Sequence, residues 1–533
     1  MVVLISFSCV TLFVAIWSLI KYKSSYSSTL SGFFLAGKSN NFWVVGSALI
    51  LTNLSANQFI GENESVYINN MSVIAWGVTS VFAMLLVSEF LLPIYFKHGF
   101  RTIPDFLSLR YDSQTKLLVT IIILIGYIVN LLPPVLYGGA LSLVTMFNIT
   151  EIFQISYWQS IWILVWALGI IGSIYSIFGG LKLVSLSDLG LGLGLFVLAL
   201  LIPFFGLWYL GEGNLWQGIS IILSTKKEYL NAVGTNKDAI PFSTLFTGML
   251  LINFYYWGME PYIAQQTLSA KSLSEAQKGM TLAAAAKLAL PLIINLPGLL
   301  AVHLIPDVVE TTAVFPKLLL KIFPDVLVGF SLALVFGAAM TTYTAGLQSC
   351  GSLFVYNIYK PFVECRSSKH VSERSYVQVG KYFELLISLI AMCIAPFILF
   401  APDGFYTYLQ SVSGFFNMPI FTIMALGILS PKITPMMAQI GLVLYMLFYF
   451  LLVFVIKVDI HYLHLFALLF VVVSAIMWLG STFLSKEYYS TYKFNFKGLE
   501  YDYYWKNIRV VGLILIIITI LIYFVLSPLG IAA

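Results

Sequence analysis

VVGSALILTNLSANQFIG, residues 44–61, runs as an apolar helix into a knot of polar side chains and out again. Within TNLSANQF (52–59), Thr52, Asn53, Ser55, Asn57 and Gln58 crowd into seven positions. Asn and Ser side chains compete with the backbone for its own hydrogen bonds and loosen helices. A helix interrupted inside a membrane is tolerated only where protein or a water-filled cavity covers the freed groups. The stretch therefore reads as a break in a span. A break supplies carbonyl oxygens for a cation and side chains aimed at a solute. A cluster of interhelical hydrogen bonds is the alternative use of the same residues.

The rest of the chain supplies the membrane. Its 533 residues are 60% hydrophobic and 10% charged, with mean hydropathy +0.93. A soluble domain carries about 25% charged residues. Apolar runs of about 20 residues, each long enough to cross the hydrocarbon core as a helix, recur along the whole length. Fourteen such spans are predicted, and an all-α polytopic membrane protein with them. The first, from Val2 to Leu19, lacks the basic start and small-residue cleavage site of a signal peptide. Cys9, Cys350, Cys365 and Cys393 form no pair or metal pattern, and the five histidines are scattered. No metal cluster or nucleophile–base pair lies at a common depth, so an enzyme is not expected.

Orientation follows from the basic residues of the short loops. With both termini outside the cytoplasm, 21 of the 28 Lys and Arg fall on the cytoplasmic side and 6 on the other, and Lys287 lies inside a span. This predicts a multi-pass protein of the cell (inner) membrane. A lipid bilayer and a small solute are the expected partners, and a nucleic acid is not.

Other polar groups interrupt the spans. GAAMTTYTAG (337–346) in the ninth sets two hydroxyls, Thr341 and Thr342, among small residues. With carbonyls from Ala338 and from the break in span 2 they would form an oxygen cage, which suits a small hard cation. No carboxylate accompanies the cage, so a monovalent ion is favoured. Lys287, in TLAAAAKLALPLII, is a costly intramembrane charge that faces a bundle interior or snorkels to the interface. Asp188 stands at the mouth of span 6, as a helix cap or on a cation path. Glu62 and Glu64 read as groups at the outer end of span 2, solvated or drawing cations to a vestibule. Glu89 calls for an internal partner. NFYYWG (253–258) in span 7 sets aromatic faces beside Asn253 and suits a neutral hydroxylated solute. Asn53, Gln58 and Gln410 add further neutral polar groups.

Spans 2 and 7 thus both carry polar-aromatic interruptions, five spans apart. Five is odd, so two units starting there are inverted in the membrane, an architecture of many secondary transporters. The chain divides accordingly: a peripheral helix and linker (1–41), a first repeat (42–210), an extracytoplasmic loop (211–243), a second repeat (244–430) and three peripheral helices (431–533).

Longer motifs resemble the sodium:solute symporter family. They are FFLAGKSNNFWVVGSALILTNLSANQFIG (33–61), RTIPDFLSLRYD (101–112), YSIFGGLKLVSLSD (175–188), NFYYWG, QQTLSAKSLSEAQKG (265–279), TLAAAAKLALPL (281–292) and NIYKPF (357–362). Within the family the likeness is nearest to bacterial sodium/galactose and related sugar symporters. It implies a ten-helix core of 5+5 inverted repeats, spans 2 to 11, and sodium as the coupling ion with no organic cofactor. It assigns sodium to the carbonyls of Leu51, Leu54 and Ala338 and the hydroxyls of Thr341 and Thr342, where the family usually has serines. It assigns sugar contacts to Gln58, Ser80, Asn253, Lys287 and Gln410, with Asn53 and Asn130 as supporting polar groups. Tyr256 becomes the inner gate and Asp188 part of the sodium exit path. One departure stands out in SVIAWGVTS (72–80). Gly77 takes the place of a glutamate and Trp76 that of a tyrosine, which removes a hydroxyl acceptor and a potential partner of Lys287. The expected function is sodium-coupled uptake of a small hydroxylated solute, a sugar or polyol, by alternating access. A sodium symporter for an organic anion or amino acid, and a non-transporting solute binder of the same fold, stay open.

Overall fold

The computed structural model describes residues 2–21, 29–54, 56–147, 149–366, 371–400, 405–484 and 505–532. Most of the linker between spans 13 and 14, residues 485–504, lies outside them, as does Ser55.

The polar stretch breaks its helix as expected. One half, Phe42–Asn53, starts on Asn41, whose side chain accepts from the Val44 N–H. It ends where Leu54 leaves helical geometry (φ −76°, ψ 74°). The second half, Ala56–Ile68, departs at 53°. The last four carbonyls of a helix have no partner of their own. Here the Leu54 N–H closes onto the Ile50 carbonyl at 2.9 Å, and the carbonyls after Ile50 come at the break.

A second broken helix occupies span 7. Gly248–Gly258 stops at Met259 and Glu260, whose N–H groups both donate to the Tyr255 carbonyl at 2.7 and 2.9 Å. Pro261 then opens Pro261–Leu268, because a proline at a first helical position gives up an N–H that would be unpaired anyway.

The described residues hold 11 helices long and apolar enough to span a membrane, and the first bent pair makes a twelfth. Two further elements bear on the expected fourteen. Tyr157–Leu210 has 54 residues, about 81 Å at 1.5 Å each, far more than one bilayer crossing. It turns at Gly180 (φ 61°, ψ −173°), backbone that only glycine adopts readily. The second broken helix has halves of 11 and 8 residues.

The order of elements repeats. A broken helix is followed by Met71–His98, Ser113–Phe147 and the two arms of Tyr157–Leu210; the other is followed by Leu273–Leu304, Asp325–Arg366, Glu373–Phe400 and Phe405–Leu429. Burial differs widely between helices. The apolar window is 78% buried in Met71–His98 and 72% in Asp325–Arg366, but 11% in Val2–Lys21 and 22% in Ile508–Val525. The peripheral helices turn Leu12, Phe13, Ile16, Ile517 and Ile520 outward, as lipid-facing helices do.

Small residues bring the functional helices together. A Cβ on Gly279 would meet Val45 at 2.8 Å and the Gly46 nitrogen at 3.2 Å, so Leu273–Leu304 lies almost backbone to backbone against the first broken helix. That contact sets Lys287 beside the polar break.

Candidate functional site

At the end of Phe42–Asn53, the Thr342 hydroxyl lies 3.2 Å from the Thr52 carbonyl oxygen and 3.3 Å from that of Ala338. One hydroxyl proton cannot serve two acceptors well, and the Thr52 hydroxyl itself is buried without a hydrogen-bond partner. Oxygen thus exceeds hydrogen here. The helix C-terminus adds negative potential. These features fit a small hard cation. Among the described residues, no group of His, Cys, Asp and Glu could hold a metal. The carbonyl met by Thr342 belongs to Thr52, which lies between Leu51 and Leu54, the two positions drawn from the family likeness.

Thr341 and Thr342 diverge, since neighbours on a helix point about 100° apart. Thr341 stands beside Asp188, a fully buried carboxylate whose oxygens have no hydrogen-bond partner among the described residues. Asp188 accepts no backbone N–H, so it is not a helix cap.

Beyond the break lies a cavity of about 190 Å³, below the range of about 300–1,000 Å³ of sites for drug-sized ligands. Of the residues expected to meet solute, it is lined by Gln58, Asn253, Lys287 and Gln410, with Asn53, Asn130, Tyr256 and Thr342. Ser80 does not join them. Its hydroxyl donates to the Gly77 carbonyl at 2.6 Å, one turn back in its own helix. Trp76, next to Gly77, does line the cavity, as does Trp257, whose ring centre is 5.9 Å from the Lys287 ammonium.

Several amides in the wall are oriented by a partner. Asn253 donates to the Thr79 hydroxyl at 3.1 Å, and Asn130 to that of Ser413 at 2.6 Å. Gln58 donates to Glu62 at 2.5 Å. Asn130 and Tyr127 sit in a π-helical turn, Tyr127–Leu131, which re-aims side chains within an otherwise regular helix.

A chain of hydroxyls closes one side. Asn53 donates to the Tyr256 hydroxyl at 2.9 Å and Tyr262 does so at 3.0 Å. Tyr127 receives the Tyr262 N–H at 3.2 Å and donates to the buried Glu260 carboxylate. The chain thereby joins both helix breaks.

Several groups in the site were not read from the sequence. Glu260 carries a detectable signal, a carboxyl beside a proline inside an apolar span (WGMEPY). Glu62 stands four residues after Gln58, hence on the same helix face. It is not a solvated vestibule group, nor is Glu64. They are 1% and 2% exposed, and Glu64 accepts from the Thr311 hydroxyl at 2.6 Å. Lys287 does not snorkel; it is 3% exposed and reaches the cavity. Glu89 pairs with Arg509 at 2.7 Å.

Residues 33–445 match the Sodium:solute symporter family. The chain is 36% identical over 474 residues to an uncharacterized symporter, YidK, of Escherichia coli (strain K12), covering 89% of this chain and 82% of that protein. It is 29% identical over 460 residues to the sodium/glucose cotransporter of Vibrio parahaemolyticus (81% and 80%). To sodium/myo-inositol cotransporter 2 of Homo sapiens it is 26% identical over 458 residues (80% and 65%). A substrate-bound, outward-open Na+-coupled sialic acid symporter shares the fold, with TM-score 0.74 at 18% identity over 91% of this chain and 97% of that one. A nucleobase-cation-symport-1 family transporter in a closed conformation follows at 0.57 and 11% identity over 87% and 97%. None of the three relatives compared by sequence is named for galactose. The chain belongs to the sodium:solute symporter family, and its activity is sodium-coupled symport of a small organic solute.

Proposed function

We propose that the solute is a neutral hydroxylated molecule, a sugar or a polyol, taken up with sodium by alternating access. The carrying observation is that one helix break touches two places. Its carbonyl end meets Thr342, while Asn53 and Gln58 line the cavity. A cation bound at the break therefore fixes the side chains that meet the solute, which is what coupling requires. Leu51, Leu54, Thr52, Ala338, Thr341 and Thr342 make up the sodium-binding region in this reading. Gln58, Asn253, Lys287 and Gln410 meet the solute, with Asn53 and Asn130 in support. Amides and aromatic faces dominate the cavity wall, as neutral hydroxylated solutes require.

In this reading sodium enters first from outside and each ion gains about 2.3 kcal/mol per 100 mV of membrane potential. The repeats at 42–210 and 244–430 rock against each other, Tyr256 moves to open the inner side, and sodium leaves past Asp188. Both termini then face away from the cytoplasm. The loop at 211–243 lies on that side, and 1–41 and 431–533 stay peripheral.

Lys287 favours a second reading, symport of an organic anion. Purified protein in proteoliposomes, given labelled D-glucose, D-galactose, myo-inositol and D-glucuronate, decides between them. The proposal expects one of the neutral solutes to accumulate under an inward sodium gradient. Uptake indifferent to sodium, or confined to glucuronate, would sink it.

A further inference from the structure

Lys287 is a buried cation whose ammonium borders the solute cavity. A lone charge so placed costs several kcal/mol unless it is compensated. Among the described residues, the charged group that acts on it is Glu62. Glu62 is itself 1% exposed and lies outside the cavity wall, one helical turn past Gln58. A carboxylate only accepts hydrogen bonds, so its contact with Gln58 fixes that amide with its N–H side toward Glu62. One acid thus bears on two residues of the cavity wall.

We propose that Glu62 is a specificity-determining positioning residue: it balances Lys287 and holds Gln58, so that the site accepts a neutral polyol or sugar and rejects a carboxylate. This inference rests on the proposed function and narrows its substrate class. The pair carries no net charge. Lys287 then acts as a hydrogen-bond donor to a hydroxyl oxygen and has no unmatched charge to replace the water shell of an anion. Glu260, a carboxyl in the cavity wall itself, adds to the exclusion of anions. Gly77 contributes no side chain, so in this architecture the acid comes from the broken helix.

The test is titration of the purified full chain in sodium chloride with D-glucose, D-galactose, myo-inositol and D-glucuronate, comparing wild type with Glu62→Gln and Glu62→Gln/Lys287→Met. Wild type should bind a neutral member and not glucuronate. Glu62→Gln should weaken the neutral solute about tenfold or more and admit glucuronate, and the double variant should refuse it again. Glucuronate binding by wild type, or an unchanged preference in Glu62→Gln, overturns the inference. If wild type binds none of the four, the proposed function fails, and Glu62 is judged separately by thermal unfolding. Losses in Tm for Glu62→Gln and Lys287→Met that exceed, when added, the loss in the double variant support the pairing. Additive losses overturn it.

Discussion

The side chain of Asn53 donates a 2.9 Å hydrogen bond to the hydroxyl of Tyr256, tying the broken end of one helix to its counterpart five spans later. Asn53 is the last helical residue before the first break, and Tyr256 stands just ahead of the second. The same hydroxyl accepts from Tyr262, beyond the second break. Three helix segments are therefore held at one oxygen, and in the proposed gating role of Tyr256 they part to let solute leave.

Tyr256→Phe keeps the ring and removes that oxygen. It should loosen the closed gate without emptying the cavity wall. Solute exchange between equal concentrations across a proteoliposome should persist, while sodium-driven accumulation falls severalfold through leak. Accumulation at the wild-type level would show that this hydroxyl does not hold the gate.

Thr342 is the hydroxyl that meets the broken helix, so in the proposed sodium region its loss removes a ligand and leaves the Thr52 carbonyl facing a methyl group. Thr342→Ala should raise the sodium concentration for half-maximal uptake roughly tenfold, the effect of one lost polar contact to a charge. Thr342→Ser, which keeps the oxygen, should stay near wild type. Solute uptake measured against sodium concentration separates the two, and equal curves would remove Thr342 from the sodium region.

Much of this was legible because membranes impose a simple rule. Runs of about 20 apolar residues disclosed the many-helix membrane fold, and TNLSANQF disclosed a break because its side chains compete with the helix around them. What stayed hidden depends on packing between distant segments. Glu260 and Tyr127 are 133 residues apart. Glu89 and Arg509 are 420 apart. Nothing local announces either contact. Ser80 shows the opposite failure. Family likeness put its hydroxyl on the solute, but a carbonyl three residues back in the same helix captures it. The sequence sets Glu62 at the outer end of span 2, solvated or drawing cations to a vestibule, whereas the helix continues to Ile68 with Asn63 buried and bonded to the Gly298 N–H at 2.5 Å.

Asp188 has both oxygens buried without completed hydrogen bonds, next to Thr341. An unpaired acid there is a cost to the sodium-free protein and an attraction to a passing cation. Asp188→Asn should therefore raise the unfolding temperature without sodium by about 2–4 °C, yet shrink the further rise that sodium brings to wild type. Melting curves of the purified protein in sodium and in choline chloride give both quantities. An Asn variant stabilised by sodium as strongly as wild type would exclude Asp188 from the ion's path.

Gly180 makes the turn between spans 5 and 6, which fixes where Asp188 enters the membrane eight residues later. Its φ of 61° with ψ of −173° belongs to glycine alone, and a Cβ would lie 2.9 Å from the Phe33 carbonyl oxygen. Phe33 is 1% exposed and cannot easily withdraw. Gly180→Ala therefore meets both backbone strain and a clash, and should cost about 1–3 kcal/mol for the backbone conformation alone. Ala at Gly99, also left-handed at φ 62° but with open space around it, is the control, since it carries strain without the clash. Thermal unfolding of the two variants should show the larger loss at Gly180. A loss no greater than that at Gly99 would mean that the turn relaxes, and that the contact between Phe33 and Gly180 does not set the position of span 6.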